Sequence, residues 1–314
     1  MTEPVRVAVV GVGAIGRHHA RIYAEHPAAD LVGVYDTDKE RARRVAGATG
    51  TRAFEQVDAL LERVDAVSVA VPTVDHLDVG LHCLGQGCDV LMEKPIAASL
   101  SAAEALIDAA RGSDRVLQIG HVERYNPAVE AMLTEVRKPA FIEIHRLGSF
   151  AERSLEVDVV IDLMIHDIDI VHALVDAEIV DLRAVGVPVL SAEVDIANAR
   201  LELVGGCTVN MTASRVSLNR VRKVRIFEPE AYFSVDYSNQ QVSCFRLERG
   251  SGDRPAIAGV PVPVERREPL LNELSDFLAC VVSRKPPRVT AADGHRALAT
   301  ALRIRDAIDR TSTA

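Results

Sequence analysis

Hydrophobic runs in the first 120 residues predict a parallel β-sheet. Short apolar, β-branched runs alternate there with longer stretches of helical character. Each run is apolar almost throughout, as expected when helices cover both faces of a sheet. We therefore expect a doubly wound α/β domain over residues 1–120. The predicted strands are Val5–Val10, Leu31–Tyr35, Ala66–Ala70, Asp89–Met92 and Val116–Ile119.

The pattern changes after His121, where one or two helices precede closely spaced strand-like segments. Short turns such as Gly205-Gly206 indicate hairpins and an antiparallel sheet. Two late helices, Pro269–Ser283 and Ala292–Arg310, are separated by the helix-breaking pair Pro286-Pro287. Residues 121–314 are thus predicted to form a second, α+β domain. Its predicted strands are Phe141–Leu147, Ile179–Val187, Ala197–Val204, Cys207–Ser214, Val221–Phe227 and Tyr232–Tyr237.

Charge and cysteine content narrow the classes of function. The 45 acidic and 36 basic residues leave a net charge of -9, which opposes broad attraction to nucleic acid or anionic lipid. The five cysteines form no CxxC pair, which argues against a disulfide framework or a zinc finger. The sequence shows neither a signal peptide nor a stretch apolar enough to span a bilayer. We expect a cytoplasmic protein with no nucleic-acid partner and no membrane contact.

A glycine motif follows the first predicted strand and opens a helix predicted over Ala14–Glu25. Glycines at these positions allow a tight turn and the close approach of a pyrophosphate, which the helix N-terminus attracts. Asp36, after the second strand, can accept hydrogen bonds from ribose hydroxyls and repel a 2′-phosphate, so NAD is predicted. A plain βα turn and a helix-capping Asp36 are the alternatives, and Arg41, Arg43 and Arg44 keep NADP open. The predicted cofactor residues here are Gly11, Gly13, Ala14, Ile15, Gly16 and Asp36.

The tripeptide Glu93-Lys94-Pro95 follows another predicted strand, at the sheet edge where open α/β folds bind ligands. Lys94 is a candidate to hold or shuttle a proton there. The alternative is a surface lysine that starts a helix. The Lys94–Pro95 bond is also a candidate cis peptide.

A stripe of polar residues interrupts an otherwise apolar stretch, with Asp158, Asp162, His166 and Asp169 at helical spacing. On a helix these residues share one face, which costs stability unless the groups are paired or used. Asp162 could orient His166 so that the imidazole acts as acid and base for a hydroxyl proton. The alternatives are a solvated face, a buried structural pair and a metal site, for which no third and fourth ligand is evident.

Taken together, these motifs resemble the Gfo/Idh/MocA oxidoreductases over essentially the whole chain. The resemblance implies a Rossmann domain followed by an α+β domain with an open, mainly antiparallel sheet. It also implies NAD(P)-dependent oxidation or reduction of a sugar or cyclitol hydroxyl, with Lys94, Asp162 and His166 on the family's catalytic positions and no metal. The residues that it places beside the dinucleotide are Val71, Pro72, His76 and Glu93.

Some positions of this chain differ from those of many family members, which carry a glycine run before the residue that matches Asp162 and a glycine midway between it and the residue that matches His166. This chain has Glu156-Val157-Asp158 and Met164 there. With Gly120–Pro127 and Ser214–Ser217, it is more similar to a subgroup that oxidises the 3-hydroxyl of UDP-N-acetylglucosamine. The resemblance therefore favours a UDP-N-acetylhexosamine as substrate.

Five basic residues, Arg215, Arg220, Arg222, Lys223 and Arg225, crowd one stretch with no acid between them. A nucleotide-sugar diphosphate needs such partners. Two alternatives are that strand alternation splits the cluster or that it lines a solvated edge, and Asn126 before Pro127 could be a helix cap. The predicted substrate residues are Arg124, Tyr125, Asn126, Arg215 and Arg225.

The expected reaction removes hydride and a proton from one carbinol. We expect NAD to bind across Gly11–Gly16 and Asp36, and His166 with Lys94 to take the hydroxyl proton as hydride leaves the same carbon. The rival interpretations are an inositol or free-sugar dehydrogenase and a dinucleotide-binding regulatory protein without turnover. An open antiparallel sheet needs its exposed face covered, so we expect a homodimer or homotetramer.

Overall fold

The chain divides into two compact units in the computed structural model, which describes residues 3–149, 157–248 and 256–312. Met1–Val122 and Glu268–Leu298 form the first unit, and Glu123–Arg267 and Ala299–Ala314 form the second. The boundary between the two units, at residues 122 and 123, agrees with the boundary near His121 that the hydrophobic pattern predicts. The predicted 121–314 domain is corrected for Glu268–Leu298, which belongs to the first unit.

Six parallel strands form the sheet of the first unit, in the order β3-β2-β1-β4-β5-β6. The order reverses between β1 and β4, which is the Rossmann arrangement and leaves a crevice at the carboxyl ends of these strands. The strands are β1 (Val5–Val10), β2 (Ala29–Tyr35), β3 (Arg52–Ala53), β4 (Ala66–Val69), β5 (Asp89–Glu93) and β6 (Leu117–Gly120). The helices are α1 (Gly16–Glu25), α2 (Lys39–Thr49), α3 (Val57–Leu61), α4 (His76–Gly85), α5 (Leu100–Gly112) and α8 (Pro269–Ser283).

Helix α8 joins the first unit because of its apolar face. Leu274, Phe277 and Leu278 on that face are buried in one hydrophobic cluster with Val7 of β1 and Tyr23 of α1. Burial of three large apolar side chains contributes several kcal/mol, at about 1.5–3 kcal/mol each. This contribution is lost if the helix leaves the sheet, so the late segment returns to the N-terminal core.

Eight strands form the sheet of the second unit, in the order β14-β13-β12-β11-β7-β10-β9-β8. Within the described strands of this second sheet only β7 and β10 pair in parallel, so the sheet is mainly antiparallel, as predicted. The strands are β7 (Phe141–Leu147), β8 (Ile179–Val187), β9 (Ile196–Leu203), β10 (Thr208–Ser214), β11 (Val221–Phe227), β12 (Ala231–Asp236), β13 (Gln241–Glu248) and β14 (Ala256–Val260). The other helices are α6 (Pro127–Glu135), α7 (Ile165–Leu174) and α9 (Ala291–Ser312), whose residues are divided between the units.

Alternation along these strands produces one buried and one exposed sheet face. On β7, Ile142 and Ile144 are buried while Phe141 and Glu143 are only partly covered. The exposed face carries a row of aromatic rings across four neighbouring strands, with centroids 5.0–6.1 Å apart. The rings are Phe141, Phe227, Tyr232 and Phe245. We call this row the aromatic row.

All five cysteines are free and buried. Burial raises the pKa of the Cys83 thiol to about 12 and that of Cys88 to about 11. Both thiols therefore stay protonated and unreactive near neutrality. Among the described residues, no helix combines the length and apolar character needed to cross a membrane.

Candidate functional site

The glycine motif forms a tight turn at the carboxyl end of β1. Gly11 has φ +84°, and a Cβ there would lie 2.6 Å from the carbonyl oxygen of Ala70, while a Cβ on Gly16 would lie 1.9 Å from that of Gly11. Neither position accepts a side chain. A Cβ on Gly13 meets nothing within 4 Å, so this glycine leaves open space above the turn. Such space fits the pyrophosphate of a dinucleotide at the N-terminus of α1.

Asp36 lies at the end of β2 and is 5% exposed. Its Oδ2 accepts a hydrogen bond from Val12 N–H at 2.9 Å, and its Oδ1 accepts one from Asp38 N–H at 2.8 Å. The guanidinium of Arg41 lies 3.3 Å from both oxygens. Asp38, not Asp36, caps α2 through the backbone N–H of Arg41. The capping alternative for Asp36 is therefore wrong, and its carboxylate faces the glycine turn.

A cavity of about 860 Å³ opens beside the turn, between α1 and α2. Val12, Gly13 and Ala14 form one wall. The other walls of the cavity carry mainly guanidinium groups, which can bind phosphate oxygens. The arginines that line it are Arg17, Arg21, Arg41 and Arg44. Positive charge is thus concentrated beside the glycine turn, in a chain whose net charge is -9.

Lys94 follows β5, and the Lys94–Pro95 peptide is cis, which confirms that prediction. His76, at the start of α4, is buried and links two loops of the crevice. Its Nδ1 lies 2.9 Å from the carbonyl oxygen of Pro95, and its Nε2 lies 3.0 Å from that of Val71. Burial lowers the pKa of His76, and the neutral ring that this favours donates its single N–H to one of the two carbonyl oxygens. Val71, Pro72, His76 and Lys94 thus share the edge that carries the glycine turn.

The predicted stripe of four polar residues does not form one helical face. Residues Val160–Met164 form a π-helical turn that precedes α7 and shifts the register. Asp158 lies before this turn, where its Oδ1 accepts the N–H groups of Val160 at 2.9 Å and Ile161 at 3.0 Å. Asp169 is buried and pairs with Arg124 at 3.2 Å. Asp158 therefore lies outside the predicted stripe, whereas Asp169 lies on α7 and forms a buried pair, one of the alternatives given above.

Asp162 and His166 remain together, since they lie one turn apart and are both half-buried. Partial exposure on a helix whose neighbouring positions are buried suits groups that exchange protons with a ligand. Of the two, only His166 belongs to the regular α7, while Asp162 belongs to the π-helical turn. Glu156, named in the sequence comparison above, lies outside the described residues.

A buried charge network lies beside α7 that sequence reasoning did not identify. Arg146 donates two hydrogen bonds to Asp167, at 2.8 and 2.9 Å, and a third to Glu123 at 3.0 Å. Arg222 also approaches Glu123, at 3.5 Å. Burial opposes ionisation of Glu123, but Arg146 and Arg222 outweigh it and hold the pKa of that carboxyl below its ordinary value. The network fixes α7 against β7 and β11.

The three residues predicted at the start of the second unit have specific partners. Asn126 caps α6, since its Oδ1 accepts the Ala128 N–H at 3.1 Å, and its Nδ2 donates to the carbonyl oxygen of Tyr237. The helix-cap alternative is thus the one observed. Tyr125 is fully buried, and Arg124 keeps a small exposed fraction beside Asp169. Of the three, Arg124 is the one whose side chain is both positively charged and partly exposed, as binding of an anionic ligand requires.

The predicted arginine cluster is split by strand alternation. Arg222 shares the face of Val224 and Ile226, whereas Arg225 lies on the exposed face and pairs with Glu143. Arg215 is buried and bound to Asp195, with 2.6 Å between Nε and Oδ1. Splitting by strand alternation, the alternative given above, is therefore what is observed. Arg222, rather than Arg225, adjoins the network beside α7.

The sequence profile of the "oxidoreductase family, NAD-binding Rossmann fold" (GFO_IDH_MocA) matches residues 5–121. The chain is also 40% identical over 309 residues to the UDP-N-acetylglucosamine 3-dehydrogenase of Acidithiobacillus ferrooxidans, covering 97% of both chains. This chain belongs to the Gfo/Idh/MocA family. The predicted family is thus confirmed, and with it an NAD-binding oxidoreductase.

Two further comparisons extend the family assignment to the whole fold. A solved structure of the Acidithiobacillus dehydrogenase superposes with a TM-score of 0.91 at 38% identity and covers 99% of both chains. The NAD-dependent scyllo-inositol 2-dehydrogenase of Bacillus subtilis is 29% identical, over 93% of this chain and 91% of the relative. Proteins that resemble this chain over more than nine-tenths of its length thus include both a nucleotide-sugar and an inositol dehydrogenase.

Proposed function

We propose that this protein oxidises the 3-hydroxyl of a UDP-N-acetylhexosamine to a 3-keto sugar, with NAD⁺ as the acceptor. The observation that carries the substrate assignment is the 40% identity, over 97% of both chains, to a UDP-N-acetylglucosamine 3-dehydrogenase. The reaction converts the carbinol and NAD⁺ into the ketone, NADH and one proton. NAD⁺, when bound, supplies the hydride acceptor.

The first unit supplies the residues that would hold the cofactor. The amides of the Gly11–Gly16 turn suit the pyrophosphate, because Gly13 leaves the space for it. Asp36 suits the adenosine ribose, since its carboxylate accepts hydrogen bonds and would repel a 2′-phosphate. Val71, Pro72 and His76 form the adjoining loop wall, and Glu93 ends the neighbouring strand.

Lys94, Asp162 and His166 are the proposed catalytic residues. The hydroxyl proton passes to the imidazole of His166, and Asp162 orients that ring from one turn earlier. The Lys94 ammonium stabilises the oxygen as negative charge develops on it. Arg124 is the arginine that we propose for the substrate. Arg215 and Arg225 are left out of this proposal, since Arg215 is held by Asp195 and the carbonyl oxygen of Val157, and Arg225 pairs with Glu143 on the exposed sheet face.

A substrate panel tests the proposal. Purified protein is incubated with NAD⁺ and, separately, UDP-N-acetylglucosamine, UDP-N-acetylgalactosamine, UDP-glucose, N-acetylglucosamine, myo-inositol and scyllo-inositol, and NADH absorbance is followed. We expect a UDP-N-acetylhexosamine to exceed the inositols by at least about 100-fold in kcat/KM, because a site built to hydrogen-bond the nucleotide and acetamido groups would leave those partners unpaired with an inositol. Reduction of the product with borodeuteride should then place deuterium on carbon 3.

Other outcomes of the panel identify the rivals. A higher kcat/KM for an inositol or a free sugar would replace the substrate assignment and keep the reaction class. Binding of NAD⁺ without reduction across the whole panel would favour a regulatory protein. Deuterium on another carbon would show that the enzyme oxidises a different hydroxyl of the sugar.

A homodimer or homotetramer is also part of this proposal. The aromatic row lies on the open sheet face, where Phe227 is 36% and Phe245 42% exposed. Exposed aromatic rings in a row are typical of surfaces that a second subunit covers. Light scattering should give a mass of two or four chains. Phe245→Asp should lower that mass, whereas Val282→Asp, at an exposed position of α8, should not. The buried free thiols support a reducing, cytoplasmic location.

A further inference from the structure

A buried polar layer lies between α1 and the sheet of the first unit. His19 and Tyr23, one turn apart on the inner face of α1, have no exposed surface. Tyr23 Oη lies 2.9 Å from Ser68 Oγ on β4, and His19 Nε2 lies 3.0 Å from Glu93 Oε1 at the end of β5. Polar groups in such a core cost stability unless they are paired. Packing alone therefore does not explain why a histidine, and not an apolar residue, occupies position 19.

A second carboxylate reaches the same place from α8. One side-chain nitrogen or oxygen from each of His19, Glu93 and Glu273 lies within 4.8 Å of the other two. Glu273, like His19, is fully buried, so the repulsion between the two carboxylates is weakly screened. The His19 ring is in ion-pair range of Glu93, but its N–H is not aligned on that oxygen. The His19 ring thus lies against both carboxylates, with its Nε2 3.0 Å from Glu93 Oε1.

Glu93 transmits this arrangement to Lys94. Its Oε2 accepts a hydrogen bond from the backbone N–H of Lys94 at 3.3 Å. Gly120 on β6 provides the room, because a Cβ there would lie 3.1 Å from the Glu93 carboxyl carbon. On the far side of the cis peptide, Pro95 is held by His76. The Lys94 backbone is therefore fixed between Glu93 and His76.

We propose that His19 is a positioning residue for Lys94, acting through the carboxylate of Glu93. Helix α1 begins at the glycine turn, so a single rigid element carries the dinucleotide phosphates and sets the place of the proposed catalytic lysine. Without the His19 ring, whose Nε2 lies 3.0 Å from Glu93 Oε1, the Glu93 carboxylate turns away from Glu273 and releases the Lys94 backbone. This inference rests on the proposed function only through the role of Lys94.

Two substitutions of His19 test the proposal. His19→Leu removes both ring nitrogens, whereas His19→Gln keeps a donor near the place of Nε2. We expect His19→Leu to lower kcat by about 100-fold, the cost of misplacing a reacting group by about 1 Å, with an unchanged Kd for NAD⁺. His19→Gln should recover most of that loss. His82→Gln, at an exposed position of α4 and paired with Asp58, is the matched control and should behave as wild type.

An NMR measurement that needs no substrate tests the role of His19 independently of the proposed function. Isotope-labelled reductive methylation gives each lysine an NMR signal, and Lys94→Arg assigns the signal of Lys94. His19→Leu should move that signal with and without NAD⁺, while His82→Gln should not. If the signal moves but no panel compound is oxidised, His19 positions Lys94 and the proposed function fails.

Three results would overturn the positioning role. An unmoved Lys94 signal in His19→Leu means that Glu93 does not depend on His19. Equal activity losses in His19→Leu and His19→Gln, with equal losses of thermal stability, mean that the residue only supports the fold. Stoichiometric zinc in the purified wild type, lost in His19→Gln, means that His19, Glu93 and Glu273 bind a metal instead.

Discussion

Asp36 Oδ2 accepts a hydrogen bond from the backbone N–H of Val12, at 2.9 Å, within the glycine turn. The residue proposed to select the adenosine ribose is therefore also bonded to the turn proposed to bind the pyrophosphate. Arg41 lies against the same carboxylate, 3.3 Å from each oxygen. Asp36 thus holds in place an arginine that could otherwise bind a phosphate.

Replacement of Asp36 should change the cofactor preference. In Asp36→Ser the carboxylate that repels a 2′-phosphate is gone and the Arg41 guanidinium is released. We expect kcat/KM for NAD⁺ to fall by about 10-fold or more, since a charged hydrogen bond contributes about 1.5–3 kcal/mol, and that for NADP⁺ to rise. Steady-state kinetics with both cofactors measure the ratio. An unchanged preference would show that Asp36 does not contact the ribose.

The absence of a side chain at Gly13 should matter for binding and not for folding. A methyl group there meets no protein atom within 4 Å, so Gly13→Ala should change the free energy of unfolding by less than about 1 kcal/mol. The same methyl group occupies space proposed for the pyrophosphate, and the Kd for NAD⁺ should rise by about 10-fold or more. Calorimetric titration and urea unfolding measure the two quantities.

A second glycine provides the control for this experiment. Gly47 lies within α2, and a Cβ there also meets nothing within 4 Å. Gly47→Ala should stabilise the fold slightly, by up to about 1 kcal/mol, and leave the Kd for NAD⁺ as it is. If both alanine variants bind NAD⁺ like wild type, the pyrophosphate does not approach Gly13.

Periodic burial made most of the fold predictable. Strands β1, β7, β8 and β11 begin and end where the apolar pattern places them. The two-residue β3 was missed because it is too short to show a period. Strand β13 was missed because only Cys244 is fully buried along it, so its sequence has no clear alternation.

The sites that sequence reasoning missed depend on contacts between distant segments. Arg146 and Asp167 form two hydrogen bonds across 21 residues of sequence, and a strand arginine carries no local sign of its partner. Glu273 approaches His19 only because α8 returns to the first unit. A signal for His19 existed, since a histidine and a tyrosine one turn apart on the buried face of α1 are unusual for a plain apolar helix.

The buried pair of Asp195 and Arg215 should make stability depend on pH. Asp195 Oδ2 accepts three backbone N–H groups, of Val189, Leu190 and Ser191, and its Oδ1 pairs with Arg215 at 2.6 Å. Burial opposes the charge, but these donors outweigh it and hold the pKa of Asp195 well below its ordinary 3.8. Because that pKa is depressed in the folded state, the stabilisation is complete above pH 3.8 and is lost as pH falls further.

Asp195→Asn tests this contribution. The substitution leaves Arg215 buried without its counter-ion, so the free energy of unfolding at pH 7 should fall by about 3 kcal/mol. The difference from wild type should shrink below pH 3.8, where the unfolded chain takes up a proton on Asp195 that the folded protein does not. Asp181→Asn, which breaks an exposed pair with Arg183, should cost less than about 1 kcal/mol. A difference that is constant with pH would contradict the role of the charge.

The proposed catalytic roles of Lys94 and His166 predict how single and double substitutions combine. Lys94→Ala and His166→Asn should each lower kcat/KM by about 1000-fold, within the range measured for general acid–base residues. The Kd for NAD⁺ should stay within about twofold, because the Gly11–Gly16 turn and Asp36 are intact. Lys285→Ala, an exposed lysine beyond α8, and His82→Asn serve as controls and should keep wild-type turnover.

If both residues act on the same hydroxyl in one step, the double variant should lose little more than the worse single variant. Groups that work as a unit in one transition state give strongly non-additive losses, because the first removal already abolishes the shared step. Fully multiplied losses would mean that Lys94 and His166 act in separate steps. Unaltered turnover in both single variants would remove them from the mechanism and leave the dinucleotide turn as the established part of the site.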